Sequence, residues 1–121
     1  MPPAMNTSVT IYHNPRCSKS CQTLALLEQQ GVRPTVIHYL ETPPDSACLQ
    51  QLLALLGLEA RQLLRSGEAA YRELGLAEPS LTEDELIQAM VAHPILIERP
   101  IVVSAKGAVL GRPPENALQL L

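Results

Sequence analysis

A mixed α/β sheet of four strands flanked by helices is the fold class this chain predicts. Three features point to it: a strand–helix–strand opening, a helix-rich middle and a closing hairpin followed by a helix. The first strand is the apolar, β-branched run Val9-Thr10-Ile11-Tyr12, ending at His13. Ser18–Gln30 then carries Leu24, Ala25 and Leu27 at helical spacing, Gly31 stops the helix, and Thr35–Tyr39 reads as a second strand. A crossover this short places the two strands parallel in one sheet with a right-handed connection.

Thr42-Pro43-Pro44 breaks the chain, and Asp45 caps a predicted helix over Ala47–Leu56 that Gly57 ends. Shorter helices are expected around Ala60–Arg65 and Ala69–Leu74. Thr82 and Glu85 form a capping box ahead of Leu86, Ile87, Met90 and Val91, and His93-Pro94 closes that helix. Residues 45–97 therefore read as a mostly helical insertion. Ile101-Val102-Val103 and Ala108-Val109-Leu110 flank Lys106-Gly107 as an antiparallel hairpin, and a last helix is expected over Glu115–Leu121. With no repeat and no interdomain linker, 8–121 is expected to be one domain and 1–7 a flexible tail.

A chain of 121 residues buries roughly two-thirds of its unfolded surface, so no disulfide staple is needed. Without Phe or Trp, and with only Tyr12, Tyr39 and Tyr71 as aromatics, the core must be Leu, Ile and Val packing, and stacking platforms for nucleic acid are lacking. A net charge of −3 argues against phosphate-backbone binding. The segment Met1–Asn6 has neither the charged nor the apolar region of a secretion signal, and no apolar run is long enough to span a membrane. A cytoplasmic protein, with neither nucleic-acid nor membrane partner, is expected.

Three cysteines without a secretion signal favour catalytic or redox use over a disulfide framework. Cys48, expected mid-helix among Leu49, Leu52 and Leu53, reads as structural. Cys17 follows the first strand through His13-Asn14-Pro15-Arg16 and opens the first helix, where free N–H groups and the helix dipole lower a thiol pKa and attract oxyanions. Arg16 and Lys19 add charge, Ser20 is placed to donate to the thiolate, and a protonated His13 would add attraction.

Cys21 lies one helical turn on, about 5 to 6 Å away at Cβ, longer than a relaxed disulfide accepts. Ser20 occupies the second position of a C-x-x-C pair, so the arrangement is monothiol and needs an external resolving thiol. A zinc site from His13, Cys17 and Cys21, with Cys48 as fourth ligand, is the competing reading, though no second closely spaced pair completes it. Arg99 precedes one strand and Arg112 follows another, positions from which both can face the Cys17 loop and hold a tetrahedral oxyanion.

The motifs Ile11-Tyr12-His13-Asn14-Pro15, Tyr39-Leu40-Glu41 with Pro43-Pro44, Leu63-Leu64-Arg65, Leu74-Gly75-Leu76-Ala77, His93-Pro94-Ile95-Leu96-Ile97, Arg99-Pro100-Ile101-Val102-Val103 and Gly111-Arg112-Pro113 occur in one order. In this the chain resembles the arsenate reductase family of the glutaredoxin-dependent ArsC type, with its sister group of Spx-like regulators. The resemblance spans residues 8–120. It implies a thioredoxin-like fold with a helical insertion, a catalytic cysteine at Cys17 and oxyanion-binding arginines at Arg65, Arg99 and Arg112. It also implies that His13 lowers the thiol pKa, with Ser20 near it, and that Pro100 follows a cis peptide bond.

The implied reaction is reduction of arsenate to arsenite through a Cys17 adduct, with glutathione as co-substrate, glutaredoxin as partner and no bound cofactor or metal. A monomer is assumed. Cys21 departs from the arginine of the best-known members, and the chain ends at Leu121 without their longer tail. Two other functions compete. A thiol-disulfide oxidoreductase acting on glutathione mixed disulfides is favoured by Cys21, whereas an Spx-like regulator binding RNA polymerase is disfavoured by Ser20, because that switch needs a second cysteine there.

Overall fold

The computed structural model describes residues 8–121, so the tail expected over 1–7 lies outside the described residues. The chain separates into two compact units. One runs to Thr42 and resumes over Arg99–Leu121; the other is Pro43–Glu98.

The first unit holds β1 (Thr10–His13), α1 (Ser18–Gln29), β2 (Thr35–His38), β3 (Ile101–Ser104) and β4 (Gly107–Leu110) in one mixed sheet of order β2-β1-β3-β4. As the sequence predicts, β1 and β2 are parallel, with His13 opposite His38. β3 runs antiparallel to β1, and β4 antiparallel to β3. Residues of β1 alternate between half-buried and buried, the period of two that puts Ile11 and His13 on one face. Ile11, Leu27 and Val102 are fully buried at the centre of an apolar cluster, where each contributes about 1.5–3 kcal/mol. The hairpin loop is Ala105-Lys106, one residue earlier than predicted, and Gly107 opens β4 rather than forming the turn.

α1 ends in a Schellman motif: Gly31 N–H bonds the Glu28 carbonyl (3.0 Å) and Val32 N–H the Leu27 carbonyl (3.1 Å), with Gly31 at φ 80°. Val32 and Leu27 share the apolar cluster, which supplies the hydrophobic contact of that motif. The C-terminal segment corrects the sequence reading, because Pro114–Leu120 is a 3-10 helix and not an α-helix. Pro113 and Pro114 remove two donors at its start, and the buried pair Ala117 and Leu120, three apart, matches a helix of three residues per turn.

Gly111 is tightly enclosed: a Cβ there would lie 2.5 Å from Thr23 Oγ1 and 2.7 Å from Pro100 Cγ. Its N–H donates to the Pro100 carbonyl (2.9 Å). Gly111→Ala is expected to destabilise the protein by about 1–3 kcal/mol, read as a lower urea midpoint, because the overpacked methyl must displace one of these neighbours.

The second unit contains α2 (Ser46–Leu56), α3 (Ala60–Leu63), α4 (Ala69–Glu73), α5 (Glu83–Ala92) and a 3-10 turn over Pro94–Leu96. Asp45 caps α2 by accepting the Cys48 N–H, and Thr82 and Glu85 form the predicted capping box of α5. Cys48 is therefore in the first turn of α2 and half-buried, not mid-helix as the sequence reading had it. Leu49, Leu52, Leu53, Leu63, Leu86, Ile87 and Met90 bury the facing sides of α2, α3 and α5. Among the described residues, no helix is long and apolar enough to cross a membrane.

Candidate active site

Strand directions decide what gathers around Cys17. β1 and β2 both end at one edge of the sheet, where His13 faces His38. β3 starts at that same edge, since Tyr12 pairs with Ile101, and β4 ends there, since Ile101 pairs with Leu110. The Cys17 loop, Tyr39, Arg99 and Arg112 all leave the sheet at this edge. The Arg99–Pro100 peptide is cis, as the resemblance implies, and so is Arg112–Pro113.

Cys17 is the N-cap of α1 and is half-buried. Burial works to raise its pKa, but the Ser20 N–H, the Arg99 side chain through hydrogen bonding and charge, and the Lys19 N–H outweigh it, so the thiol lies below its ordinary 9.0. Arg112 Nη1 stands 4.0 Å from Cys17 Sγ and donates to the Arg99 carbonyl at 3.2 Å. The loop itself is closed by Cys17 N–H to the Asn14 carbonyl (3.0 Å) and by Arg16 N–H to Asn14 Oδ1 (2.9 Å).

The sequence reading needs correction on how Ser20 and His13 act. The buried Ser20 hydroxyl is 2.6 Å from His13 Nδ1 and accepts the Asn14 N–H at 3.1 Å, and it is the Ser20 backbone N–H that holds the thiolate. Burial, reinforced by His38, lowers the His13 pKa, so the ring is neutral near pH 7 and supplies no charge. Ser20 Oγ and His13 Nδ1 share one hydrogen bond whose donor is set by the His13 tautomer. This buried network pins the first turn of α1. The charge that lowers the Cys17 pKa is that of Arg99, rather than of the neighbouring Arg16 and Lys19 that the sequence favours.

Arg65, the third arginine singled out in the sequence, belongs to the second unit. Its Nε pairs with Glu68 Oε2 at 3.2 Å and its Nη1 with Glu98 Oε1. Cys21 is exposed, and its thiol donates to the Pro15 carbonyl at 3.3 Å. Among the described residues, no group of three or more His, Cys, Asp or Glu side chains is arranged to hold a metal ion.

Sequence reasoning gave Tyr39 no role. It is 1% exposed, and its hydroxyl, which faces Asn14 and Arg99, closes no hydrogen bond of good geometry among the described residues. Such a hydroxyl costs about 1–3 kcal/mol while unsatisfied. Burial raises its pKa above the ordinary 10.0; Arg99 and Asn14 oppose this and the Cys17 charge adds to it, so the phenol keeps its proton. The only signal in the sequence was its place in the motif Tyr39-Leu40-Glu41. Beside it the Cys17 loop borders a cleft of about 360 Å³ whose walls include His13, Arg16, His38 and Glu41.

The lowered thiol pKa sets a pH dependence. Between its folded value and 9.0, Cys17 is mostly thiolate in the folded protein and mostly thiol in the denatured one. Raising the pH through that window should accelerate iodoacetamide alkylation of the denatured chain while the folded rate at Cys17 stays flat. Peptide mass spectrometry of both forms checks this, and parallel profiles would remove the case for an activated thiol.

The ArsC family model matches residues 12–120. The uncharacterized protein YfgD of Escherichia coli K12 is 56% identical over 97% of this chain and 99% of its own length. The arsenate reductase of the same organism is 50% identical over 95% of this chain and 82% of its own. Among solved structures, the arsenate reductase from Vibrio cholerae superposes with a TM-score of 0.93 at 54% identity, covering 95% of this chain and 98% of that one.

Proposed function

The chain belongs to the ArsC family, and on that premise we propose that it is an arsenate reductase that works through a Cys17 adduct and takes its electrons from glutathione and glutaredoxin. One observation carries the reading: a low-pKa thiol at a helix N-terminus with Arg112 Nη1 at 4.0 Å and the Arg99 charge acting on it. That arrangement binds a tetrahedral anion and presents it to a nucleophile.

Arsenate docks on Arg99 and Arg112, whose guanidinium groups offset the charge that builds on its oxygens. The Cys17 thiolate forms a sulfur–arsenic bond, and one arsenate oxygen leaves as water or hydroxide. Glutathione attacks the adduct, arsenic(V) takes two electrons and departs as arsenite, and the sulfur left oxidised is a glutathione mixed disulfide that glutaredoxin reduces. The cleft beside the loop suits this co-substrate, because Arg16 and Glu41 on its walls match the carboxylate and ammonium of a small peptide.

His13 and Ser20 serve as positioning residues that hold the N–H groups of α1 on the thiolate. The oxyanion role of Arg65 rests on the family resemblance alone. The reading involves glutathione as a co-substrate and neither a bound cofactor nor a metal. We assign the protein to the cytoplasm, as a monomer of one domain over 8–121.

The test is arsenate-dependent NADPH oxidation with glutathione, glutaredoxin and glutathione reductase. Wild type is expected to turn over, and Cys21→Ser to stay within about twofold of it, since the Cys21 thiol is engaged with Pro15 and the chemistry needs one thiol. A loss of tenfold or more in Cys21→Ser would make Cys21 a resolving thiol and favour the thiol-disulfide oxidoreductase. No arsenate turnover in wild type would overturn the substrate.

A further inference from the structure

We propose that the Tyr39 hydroxyl is a further catalytic group of the Cys17 site, donating a hydrogen bond to an oxygen of the tetrahedral anion held by Arg99. The inference deepens the arsenate reading and rests on it for the identity of the anion, though not for its tetrahedral, multiply charged chemistry. Tyr39 directly follows β2, whose last residue His38 pairs with His13, so the backbone delivers it to the edge from which the Cys17 loop and Arg99 depart. The ring is anchored in the interior at 1% exposure. Its hydroxyl is among the few buried polar atoms of the described residues that close no hydrogen bond of good geometry, and the groups it faces are Asn14 and the Arg99 guanidinium.

A guanidinium has no lone pair to accept with, and the Asn14 contact lowers the Tyr39 pKa as a donor does, so neither group takes the phenolic proton. An anion seated on Arg99 brings an acceptor to that proton. Because burial and the Cys17 charge keep the phenol protonated, Tyr39 offers a neutral donor where each other donor is a cation or a backbone N–H. A purely structural tyrosine would behave differently. With only poorly aligned contacts to Asn14 and Arg99 to lose, Tyr39→Phe would then be close to neutral in stability and would leave anion affinity unchanged.

The experiment uses the full chain and Tyr39→Phe, with alkylation of Cys17 by iodoacetamide followed at the peptide level while sulfate, inorganic phosphate or arsenate is titrated in. The half-protecting anion concentration is expected to rise about tenfold in Tyr39→Phe, the usual effect of one lost hydrogen bond to a charged group. The alkylation rate without anion and the thermal midpoint should stay at or above native values. Equal protection of both proteins, or no protection of the native one by any of the anions, would overturn the proposal. Slower alkylation of the variant without anion would also overturn it, by making Tyr39 a support of the thiolate. Should protection shift for sulfate or phosphate while native protein fails to turn over arsenate, the Tyr39 inference stands and the substrate reading falls. Normal arsenate turnover with unshifted protection gives the reverse.

Discussion

Cys17→Ser is expected to lower arsenate turnover by at least about three orders of magnitude, to the background of the coupled assay. The loss follows from the hydroxyl, not from any disturbance of the fold. A serine side chain is nearly isosteric with cysteine and, as an N-cap, holds the start of α1 at least as well. What it cannot do is ionise near neutral pH: the Ser20 and Lys19 N–H groups and the Arg99 charge bring a thiol below 9.0, whereas an alcohol starts far above that range. On the proposed reading Arg99 and Arg112 still hold the anion in the variant, so arsenate should still bind. Equilibrium binding of arsenate to Cys17→Ser, measured by calorimetry, separates the two contributions. Retained binding with lost turnover is the expected pair, and turnover within tenfold of wild type would remove Cys17 from the reaction.

Much of this was legible in the sequence, for reasons that differ from element to element. β1, α1 and β2 were readable because period-two and helical spacing are local, and the capping box of α5 because Thr82 and Glu85 lie three residues apart. The edge that unites Cys17, Arg99 and Arg112 followed from strand order, once the hairpin had been recognised as antiparallel. The details of the thiol environment were not legible. Sequence proximity pointed to Arg16, Lys19 and a charged His13, but a side chain's direction depends on tertiary packing: burial neutralises His13, the Ser20 hydroxyl turns to that ring, and Arg99 reaches the thiol from the turn before β3. Tyr39 was hidden for the same reason, since one tyrosine after a strand gives no hint that its hydroxyl closes no hydrogen bond of good geometry. The C-terminal turn, where i,i+3 burial decides between α and 3-10, failed at the same boundary between local pattern and packing.

Arg99→Ala is expected to cut kcat/KM for arsenate by about a hundredfold to a thousandfold, the usual loss when one oxyanion donor is removed. Two effects act in the same direction. The guanidinium lowers the Cys17 pKa by both hydrogen bonding and charge, so its removal moves the alkylation profile of Cys17 toward 9.0 and leaves less thiolate at pH 7. On the proposed reading it also offers a fork to the anion, so KM should rise as well. The fold should persist, because the contact that Arg99 makes through its backbone, the carbonyl that accepts Arg112 Nη1 at 3.2 Å, is unchanged by the substitution. Arg99→Lys distinguishes the two effects. A lysine restores a positive charge near the thiol but not the bidentate geometry, so it should recover most of the alkylation profile and only part of kcat/KM. Turnover near that of wild type in Arg99→Ala, with the thermal midpoint intact, would show that the anion is held elsewhere. An equal loss of turnover and stability would instead make Arg99 a structural residue.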